Sequence, residues 1–282
     1  MDVFSPSQLK EYEKTGFLII PGLFSKDELN PLKGALLQNQ SIGEQRFTMK
    51  DVDGQSHPAI AWVSPSVSYL GMLPFLSRLV SRVEELLGEP CYHWLSKLSI
   101  KPPFSKARIE WHQDFPAWHD EGCENPKLVT CGIAIDDLTE NNGIFNVIPG
   151  SHCSGNLPHE YRGDAQSRVS LDSLAELLTK HNVEPCRLRI GDAVFFHANL
   201  LHGSSGNSTN SSRTLLLCSY NALSNAPPKE KQGVRRPIAI EKIKESQWSA
   251  MVMKAIFDGH EFLRPGNGMM QGFGKSALDD AG

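Results

Sequence analysis

The sequence lacks the features that mark several large classes of protein. Its six cysteines include no CxxC pair and no paired spacing, so neither a disulfide framework nor a cysteine zinc site is indicated. No apolar run approaches the roughly 20 residues that a membrane helix needs. The first residues, MDVFSPSQLK, do not join a basic segment to an apolar one, as a secretory signal does. We therefore expect reduced thiols and a cytoplasmic location.

The sequence also has little excess charge and no internal repeat. A formal net charge of -4 gives no general attraction to nucleic acid or anionic membrane. The basic run from Lys229 to Arg236 is most simply a solvated loop. With 282 residues the chain can form one sizeable domain. We predict a single domain with helical support at 1–90, a core at 91–225, and a C-terminal helix and tail at 226–282.

Helix signals dominate the first ninety residues. Ser5-Pro6-Ser7-Gln8 and Ser25-Lys26-Asp27-Glu28 both have the capping-box pattern that begins a helix. The first helix should end near Gly16, and the apolar run FLII after it indicates a short buried strand. A third helix is predicted from Leu76 to Leu87, where apolar residues recur at helical spacing before Gly88.

From Cys91 to about Ala222, short apolar runs alternate with turn signals such as Asn141-Asn142-Gly143. Many short strands with regular turns are typical of a β-sandwich or jelly-roll barrel. One helix, roughly Leu171 to Lys180, interrupts the series. The tail after Asn225 is either a lid over the barrel mouth or a poorly ordered end. We predict a mainly β fold: a double-stranded β-helix (jelly-roll, cupin-like) barrel with supporting N-terminal helices and a C-terminal helical lid.

The segment WHQDFPAWH places His112 and Asp114 two positions apart. On a strand these side chains would share one face. An imidazole and a carboxylate are costly to bury in a small barrel unless something pairs with them. A divalent metal would do so, as in non-haem Fe(II) oxygenases, which use two histidines and one carboxylate. The HxD spacing alone is weak evidence for a metal site. The alternative is therefore a buried polar pair in a barrel without metal.

A downstream segment, residues 191–217, supplies a further histidine and a cation. His202 begins a Gly/Ser loop, whereas His197 ends the run Phe195-Phe196-His197, which indicates the interior of a strand. We therefore favour His202 as the second histidine ligand and regard His197 as structural. Arg213 opens a predicted buried strand, so its guanidinium needs an anionic partner. A guanidinium binds a carboxylate in bidentate fashion.

The HxD motif, PGSH and the H-x10-R segment together resemble the phytanoyl-CoA dioxygenase family of iron- and 2-oxoglutarate-dependent oxygenases. The resemblance spans about Phe17 to Asn225. WHQDFPAWHDEG, NNGIFNVIPGSH and SYNALSN are most similar to the ectoine hydroxylase branch of that family. The resemblance implies that Fe(II) is bound by three residues: His112, Asp114 and His202. No catalytic residue is predicted beyond these ligands.

The same resemblance implies roles for residues around the iron. Arg213, with Ser204 as a helper, would bind 2-oxoglutarate, and Lys97 on the strand before the HxD strand would contribute a second basic group. Trp118 falls at a substrate-lining position, although it could equally be a core aromatic. His119 follows a proline turn and could meet the substrate. Departures from the branch pattern occur at three positions that bear on substrate, which are Leu95, Ser99 and Leu217.

The resemblance implies an oxygenase that uses Fe(II), 2-oxoglutarate and O2 to oxidise an unactivated C–H bond of a small amino-acid-like molecule. The most direct outcome is hydroxylation, with release of succinate and CO2. Desaturation or ring closure with the same cofactors remains an alternative, as do a non-catalytic jelly-roll binding protein and a cupin-like metal enzyme that needs no 2-oxoglutarate. We expect a small-molecule substrate and no nucleic-acid or membrane partner, and a homodimer is left open.

Overall fold

A computed structural model describes residues 3–38, 46–63, 66–160, 166–233 and 235–257. Four helices lie before the β-rich region in these ranges. They are α1 (Pro6–Thr15), α2 (Lys26–Gln38), α3 (Tyr69–Met72) and α4 (Ser77–Leu87).

The predicted helix boundaries in this region are confirmed by the hydrogen bonds at the helix ends. The Gln8 amide N–H donates to the Ser5 hydroxyl, and the Ser5 N–H donates to the Gln8 side chain at 2.9 Å. Helix α1 ends at Gly16, whose φ of 82° is left-handed and favours glycine. The Ser25 N–H donates to the Glu28 carboxylate before α2 at 2.8 Å, and Gly88 caps α4.

A seven-stranded antiparallel sheet forms the centre of the molecule. In spatial order its strands are β1 (Phe17–Ile20), β11 (Ala193–His197), β6 (Leu128–Ala134), β13 (Arg213–Ala222), β4 (Cys91–Lys101), β3 (Ser56–Trp62) and β2 (Phe47–Lys50). The N-terminal ninety residues therefore add strands to the sheet as well as helices. Strand β1 confirms the short strand predicted at FLII, but β2 and β3 were not predicted.

A smaller antiparallel sheet faces the large one. Its spatial order is β10 (Glu184–Cys186), β7 (Phe145–Val147), β12 (His202–Ser204) and β5 (Ile109–His112). Strands β8 (His159–Glu160) and β9 (Arg168–Val169) form a separate antiparallel pair. Phe145 and Val147 of the small sheet pack with Phe196 and Leu215 of the large sheet. This apolar contact fills one end of the space between the sheets.

Helices cover the outer face of the large sheet. Leu98 of β4 and Leu216 of β13 share one apolar cluster with Leu29 of α2 and Val80 of α4. Side chains alternate between faces along a strand, so every second residue of these strands faces the helices. The remaining residues face the small sheet.

The C-terminal segment packs on the helical side of the molecule. Besides α5 (Phe115–Asp120) and α6 (Leu171–Leu178), the described residues include α7 (Glu245–Ser249). Trp248 in α7 stacks on Tyr69 with ring centroids 4.2 Å apart and donates to the Tyr69 carbonyl at 2.7 Å. Helix α7 therefore does not form the predicted lid, whereas Arg235, earlier in the same segment, pairs with Glu121 at the cavity. Residues 258–282 of that prediction lie outside the described residues.

The architecture is mixed, not mainly β as predicted, because helices and strands each make up about 30% of the described residues. A two-layer arrangement needs its outer face covered, and the N-terminal helices provide that cover. In the described part of the chain, the strands form two main antiparallel sheets and the β8–β9 pair, with no closed barrel. Among the helices described, none is long and apolar enough to cross a membrane.

Candidate metal centre and adjoining pocket

The HxD motif lies where a strand passes into a helix. Strand β5 ends at His112, and Asp114 precedes α5 in a helical conformation with φ -72° and ψ -36°. Pro116 in the first turn favours the start of a helix here. Strand alternation is therefore not what brings His112 and Asp114 together, contrary to our expectation. The change from strand to helix turns the carboxylate toward the imidazole.

Strand pairing brings the second histidine to the motif. His202 lies directly opposite His112 in the antiparallel pair of β12 and β5. The Asp114 Oδ1 atom is 3.6 Å from His112 Nε2 and 3.9 Å from His202 Nε2. Ligand atoms of the three residues all lie within 4.8 Å of one another. Two imidazole nitrogens and one carboxylate oxygen thus converge on a single point.

Backbone hydrogen bonds orient both imidazoles. His112 Nδ1 donates to the Glu110 carbonyl at 2.7 Å, and His202 Nδ1 donates to the Leu200 carbonyl at 3.0 Å. Each Nε2 atom therefore keeps its lone pair for a metal, in the tautomer that metal-binding histidines adopt. These two bonds make the pair suitable as ligands.

The electrostatics of the three groups also favour cation binding. Burial and the neighbouring His112 lower the pKa of His202 to about 3, so this ring is neutral at pH 7. Burial alone would raise the pKa of Asp114, but His202, His112 and Lys97 outweigh it and hold that pKa below its usual value. A neutral imidazole and an ionised carboxylate are the forms that bind metal.

Within the described ranges, these residues are the only set of three or more His, Cys, Asp or Glu side chains placed to hold a metal ion. His197 does not join them. Its Nδ1 atom accepts a hydrogen bond from the Asn199 N–H at 3.0 Å, and its ring lies 5.4 Å from that of His152. The choice of His202 over His197 from the sequence therefore agrees with the structure.

Arg213 and Ser204 line the same cavity and are incompletely paired. Arg213 is 1% exposed, and its Nη2 donates to the Gly143 carbonyl. Its Nε atom and the Ser204 Oγ atom are buried and have no hydrogen-bond partner among the described residues. Burial lowers the pKa of Arg213 to about 10, against the influence of Asp136, so the guanidinium is still charged at pH 7. A buried cation beside an unpaired hydroxyl is suited to an anionic ligand.

Gly143 explains why the turn Asn141-Asn142-Gly143 matters to this pocket. Its φ of 89° is left-handed, and a Cβ atom there would lie 2.5 Å from the Lys101 side chain and 3.0 Å from the Ser205 carbonyl. Only glycine allows the backbone to approach Arg213 so closely. The turn predicted from the sequence is thus also part of the Arg213 environment.

The other predicted site residues divide into two groups. Lys97, Trp118 and Leu217 line the cavity that contains the three converging ligand atoms. Lys97 and Leu217 are opposite each other in the pair of β4 and β13, and burial lowers the pKa of Lys97 against the influence of Asp114. His119 is exposed and is not among the residues that line the cavity. The structure therefore does not bring His119 into the site.

Several polar residues of the cavity were not predicted. Thr130 and Ser219 lie opposite each other on β6 and β13, and their hydroxyl groups are 2.8 Å apart. Ser219 could have been found, because it follows Arg213 at an even spacing and so shares its face. Glu121 also lines the cavity and pairs with Arg235 at 2.5 Å. Nothing local indicated this pair, since Arg235 comes from a distant segment.

Comparisons with known proteins match both the sequence and the fold. The phytanoyl-CoA dioxygenase (PhyH) sequence profile matches residues 12–215. The ectoine dioxygenase of Stutzerimonas stutzeri is 28% identical over 232 residues, which cover 77% of each chain. The L-proline trans-4-hydroxylase of Streptomyces griseoviridis is 33% identical over 182 residues, 59% of this chain and 67% of the relative.

The fold is similar to that of EctD from S. alaskensis. The crystal structure of that protein with 2-oxoglutarate and 5-hydroxyectoine has a TM-score of 0.70 at 26% identity, and the match covers 86% of this chain and 88% of EctD. A second crystal structure of EctD, with bound Fe, has a TM-score of 0.69 at 27% identity over the same shares of the two chains.

Proposed function

Because the chain belongs to the phytanoyl-CoA dioxygenase (PhyH) family and is an Fe(II)- and 2-oxoglutarate-dependent dioxygenase, we propose that it hydroxylates an unactivated C–H bond of a small amino-acid-like molecule. The relatives named for ectoine and for L-proline support this substrate class.

The observation that carries the proposal is the convergence of His112, Asp114 and His202 beside an incompletely paired Arg213. The two Nε2 atoms and the Asp114 carboxylate would hold iron on one face and leave the opposite positions open. When bound, iron and 2-oxoglutarate supply the oxidising chemistry, in which O2 is consumed, succinate and CO2 are released, and one oxygen atom enters the substrate. The residues of this chain bind and orient the reactants.

Arg213 and Ser204 are suited to the distal carboxylate of 2-oxoglutarate. The Arg213 Nε–H and the Ser204 hydroxyl are buried donors without a partner among the described residues, and a carboxylate would accept from both. The Gly143 carbonyl holds Nη2, which fixes the plane of the guanidinium. Lys97 adds a further positive charge in the same cavity.

The substrate would lie at the end of the cavity away from Arg213. Leu95, Leu217 and Trp118 form an apolar wall there, and the Thr130–Ser219 pair provides hydroxyl groups. Apolar walls with a few polar groups are typical of sites for small molecules. The wall would exclude water and hold a C–H bond toward the iron, while the hydroxyls would bind polar groups of the substrate.

We also propose that the two facing sheets form the double-stranded β-helix expected from the sequence. The support is that both sheets are antiparallel and that β5 and β12 of the small sheet and β4 and β13 of the large sheet line one cavity between them. Sites between two sheets let residues from distant strands meet.

Anaerobic titration of the apoprotein with Fe(II) and 2-oxoglutarate tests the proposal. The expected result is a weak visible charge-transfer band that saturates with one equivalent of each. Arg213→Met should abolish the band at 2-oxoglutarate concentrations that saturate the wild type. Arg187→Met is the matched control, because Arg187 forms an ion pair with Glu140 on the exposed surface. Absence of the band in the wild type would refute the proposal.

A substrate screen then tests the reaction type. Small amino acids, including L-proline, and cyclic amidines such as ectoine are incubated with Fe(II), 2-oxoglutarate and O2. The expected result is succinate release coupled to a product heavier by one oxygen atom in mass spectrometry. A product lighter by two hydrogen atoms would show desaturation or ring closure instead. Metal-dependent product formation without 2-oxoglutarate would contradict the proposed cofactor chemistry.

A further inference from the structure

Gln113, the middle residue of the HxD motif, has every polar atom of its side chain hydrogen-bonded. It is 2% exposed. Its Nε2 atom donates to the Asn199 carbonyl at 2.7 Å and to the Gly155 carbonyl at 2.8 Å, and its Oε1 atom accepts from the Leu157 N–H at 2.9 Å. A side-chain amide has two donor hydrogens, and both are used here.

These bonds connect the HxD motif to the segment that leads to His202. On one side of Asp114, the Gln113 side chain donates to the Asn199 carbonyl. On the other side, the Phe115 N–H donates to the Ala198 carbonyl at 3.1 Å. Asp114 is therefore held on both flanks against one short turn, and His202 follows that turn directly.

His159 completes the arrangement from the opposite direction. The Gln113 N–H donates to His159 Nε2 at 3.1 Å, and His159 Nδ1 donates to the Leu157 carbonyl at 2.8 Å. Leu157 thus bonds to both residues, through its N–H to Gln113 and through its carbonyl to His159. The motif, the Gly155–His159 segment and the Asn199 turn form one hydrogen-bonded unit.

The strand ladder cannot provide this positioning by itself. Strand β5 ends at His112, so its pairing with His202 orients the two histidines but does not reach Asp114. The conformation of Asp114 is helical, and its own backbone is outside the sheet. The hydrogen bonds of the Gln113 side-chain amide therefore hold the backbone next to Asp114, where no strand-pairing hydrogen bonds are available.

We propose that Gln113 is a positioning residue that fixes the Asp114 carboxylate relative to His202 and so sets the affinity of the site for a divalent metal. The inference rests on the proposed role of these residues as metal ligands. Groups that hold metal ligands in place typically change metal affinity by about 10- to 100-fold when they are removed. Gln113 touches no ligand atom itself and acts through the backbone on either side of Asp114.

The test uses Co(II), whose visible absorption reports coordination geometry, added to the full-length apoprotein. Gln113→Glu keeps the shape of the side chain but replaces its two donors with a second acceptor facing two carbonyl oxygens. Gln113→Asn keeps the amide but is too short to span Gly155 and Asn199. For both variants we expect Co(II) to bind about 10- to 100-fold more weakly, with an altered absorption spectrum.

Asn221→Asp is the matched control. Asn221 is fully buried, and its Nδ2 donates to Tyr92 and to the Asn225 carbonyl, away from the cavity. This change also converts a buried, bonded amide to an acid, so it should lower the thermal midpoint of the apoprotein and leave Co(II) affinity unchanged. All titrations are made below the thermal midpoint of each variant.

The outcomes separate this inference from the proposed function. Co(II) affinity within about twofold of wild type in both Gln113 variants would overturn the positioning role. So would a loss of affinity in Asn221→Asp that matches its loss of stability, because general destabilisation would then explain all three variants. If the wild type binds neither Co(II) nor Fe(II), the proposed metal site itself fails. If Gln113→Glu does not fold, Gln113→Asn decides the question.

Discussion

The two faces of the seven-stranded sheet are built from the same strands and have opposite chemistry. On the outer face, Leu98, Cys131 and Leu216 are buried against helices in an apolar cluster. One residue away on the same strands, Lys97 and Thr130 face the cavity. A shift of a single position thus changes a packing residue into a site residue, because side chains alternate along a strand.

The apolar outer face stabilises the fold, whereas buried charges on the inner face reduce its stability. Apolar burial on the outer face contributes roughly 25 cal/mol per Å². On the inner face, Arg213 is paired in register with Lys101, and both side chains are buried. Burial and Arg213 lower the pKa of Lys101 to about 6. A buried guanidinium that depresses the pKa of a neighbouring lysine is unfavourable without an anionic ligand, and such an arrangement is typical of a binding site.

Asp114→Ala should have the largest effect, because it removes the only carboxylate of the candidate centre. We expect Fe(II)-dependent succinate release to fall by at least about 1,000-fold, as when one member of a catalytic unit is lost. Succinate is measured by chromatography with a saturating 2-oxoglutarate concentration. Activity at the wild-type level would show that the candidate centre does not bind the metal through this group.

Arg213→Met should separate binding from stability. Removing a buried charge that binds a carboxylate costs about 2–5 kcal/mol, so the dissociation constant for 2-oxoglutarate should rise by at least about 30-fold. The thermal midpoint of the apoprotein should stay equal or rise, because an uncompensated buried charge is removed. Calorimetric titration and thermal melting measure the two effects. A lower thermal midpoint with unchanged affinity for 2-oxoglutarate would show that Arg213 stabilises the fold and does not bind the cosubstrate.

Leu216→Ala is the opposite experiment on the outer face. Leu216 is fully buried beneath the helices, so the free energy of unfolding should fall by about 2–5 kcal/mol. The dissociation constant for 2-oxoglutarate should not change, since the side chain points away from the cavity. Urea denaturation and calorimetric titration measure both quantities. Weaker 2-oxoglutarate binding would show that the two faces are coupled.

The smallest effect concerns pH and His93, which packs near Tyr220 on the outer face. Burial lowers the pKa of His93 to about 4. Between that value and about 6.5, the unfolded chain binds the proton more strongly, so stability falls as the pH drops through this window. His93→Gln should reduce the decline between pH 7 and pH 5 by up to about 1.4 kcal/mol per pH unit. An unchanged slope in urea denaturation would contradict the prediction.

Local signals predicted much of the helical part of the fold. The capping boxes at Ser5 and Ser25 and the ends at Gly16 and Gly88 depend on neighbouring residues only, so the sequence contains the whole signal. Strands β2 and β3 were missed because β3 is held in the sheet by pairing with β4, which lies further along the chain, and β2 joins the sheet only through β3. The share of helix was underestimated because tertiary packing, which the sequence pattern does not show, decides which segments become helical. Packing also decides whether a C-terminal helix covers the cavity or supports the sheet.

The metal-ligand candidates and Arg213 were predicted, but the way in which the fold brings them together was not. Residue type and order indicated His112, Asp114, His202 and Arg213. The role of Gln113 could not be predicted, because its partners Gly155 and Asn199 are 42 and 86 positions away. His119 was placed near the substrate because it follows a proline turn next to the HxD motif. On the short helix α5 the two side chains point in different directions, and only Trp118 is buried.

By itself the sequence determined which groups are available for the chemistry: two imidazoles, a carboxylate and a guanidinium, in the order that a metal and a dicarboxylate ligand require. It did so because residue identity sets donor type and charge without reference to the fold. Only the tertiary structure decided how those groups meet. The pairing of β5 with β12 and the hydrogen bonds around Gln113 join segments that are distant in the chain, and such contacts form only when the two sheets and their helical cover pack together.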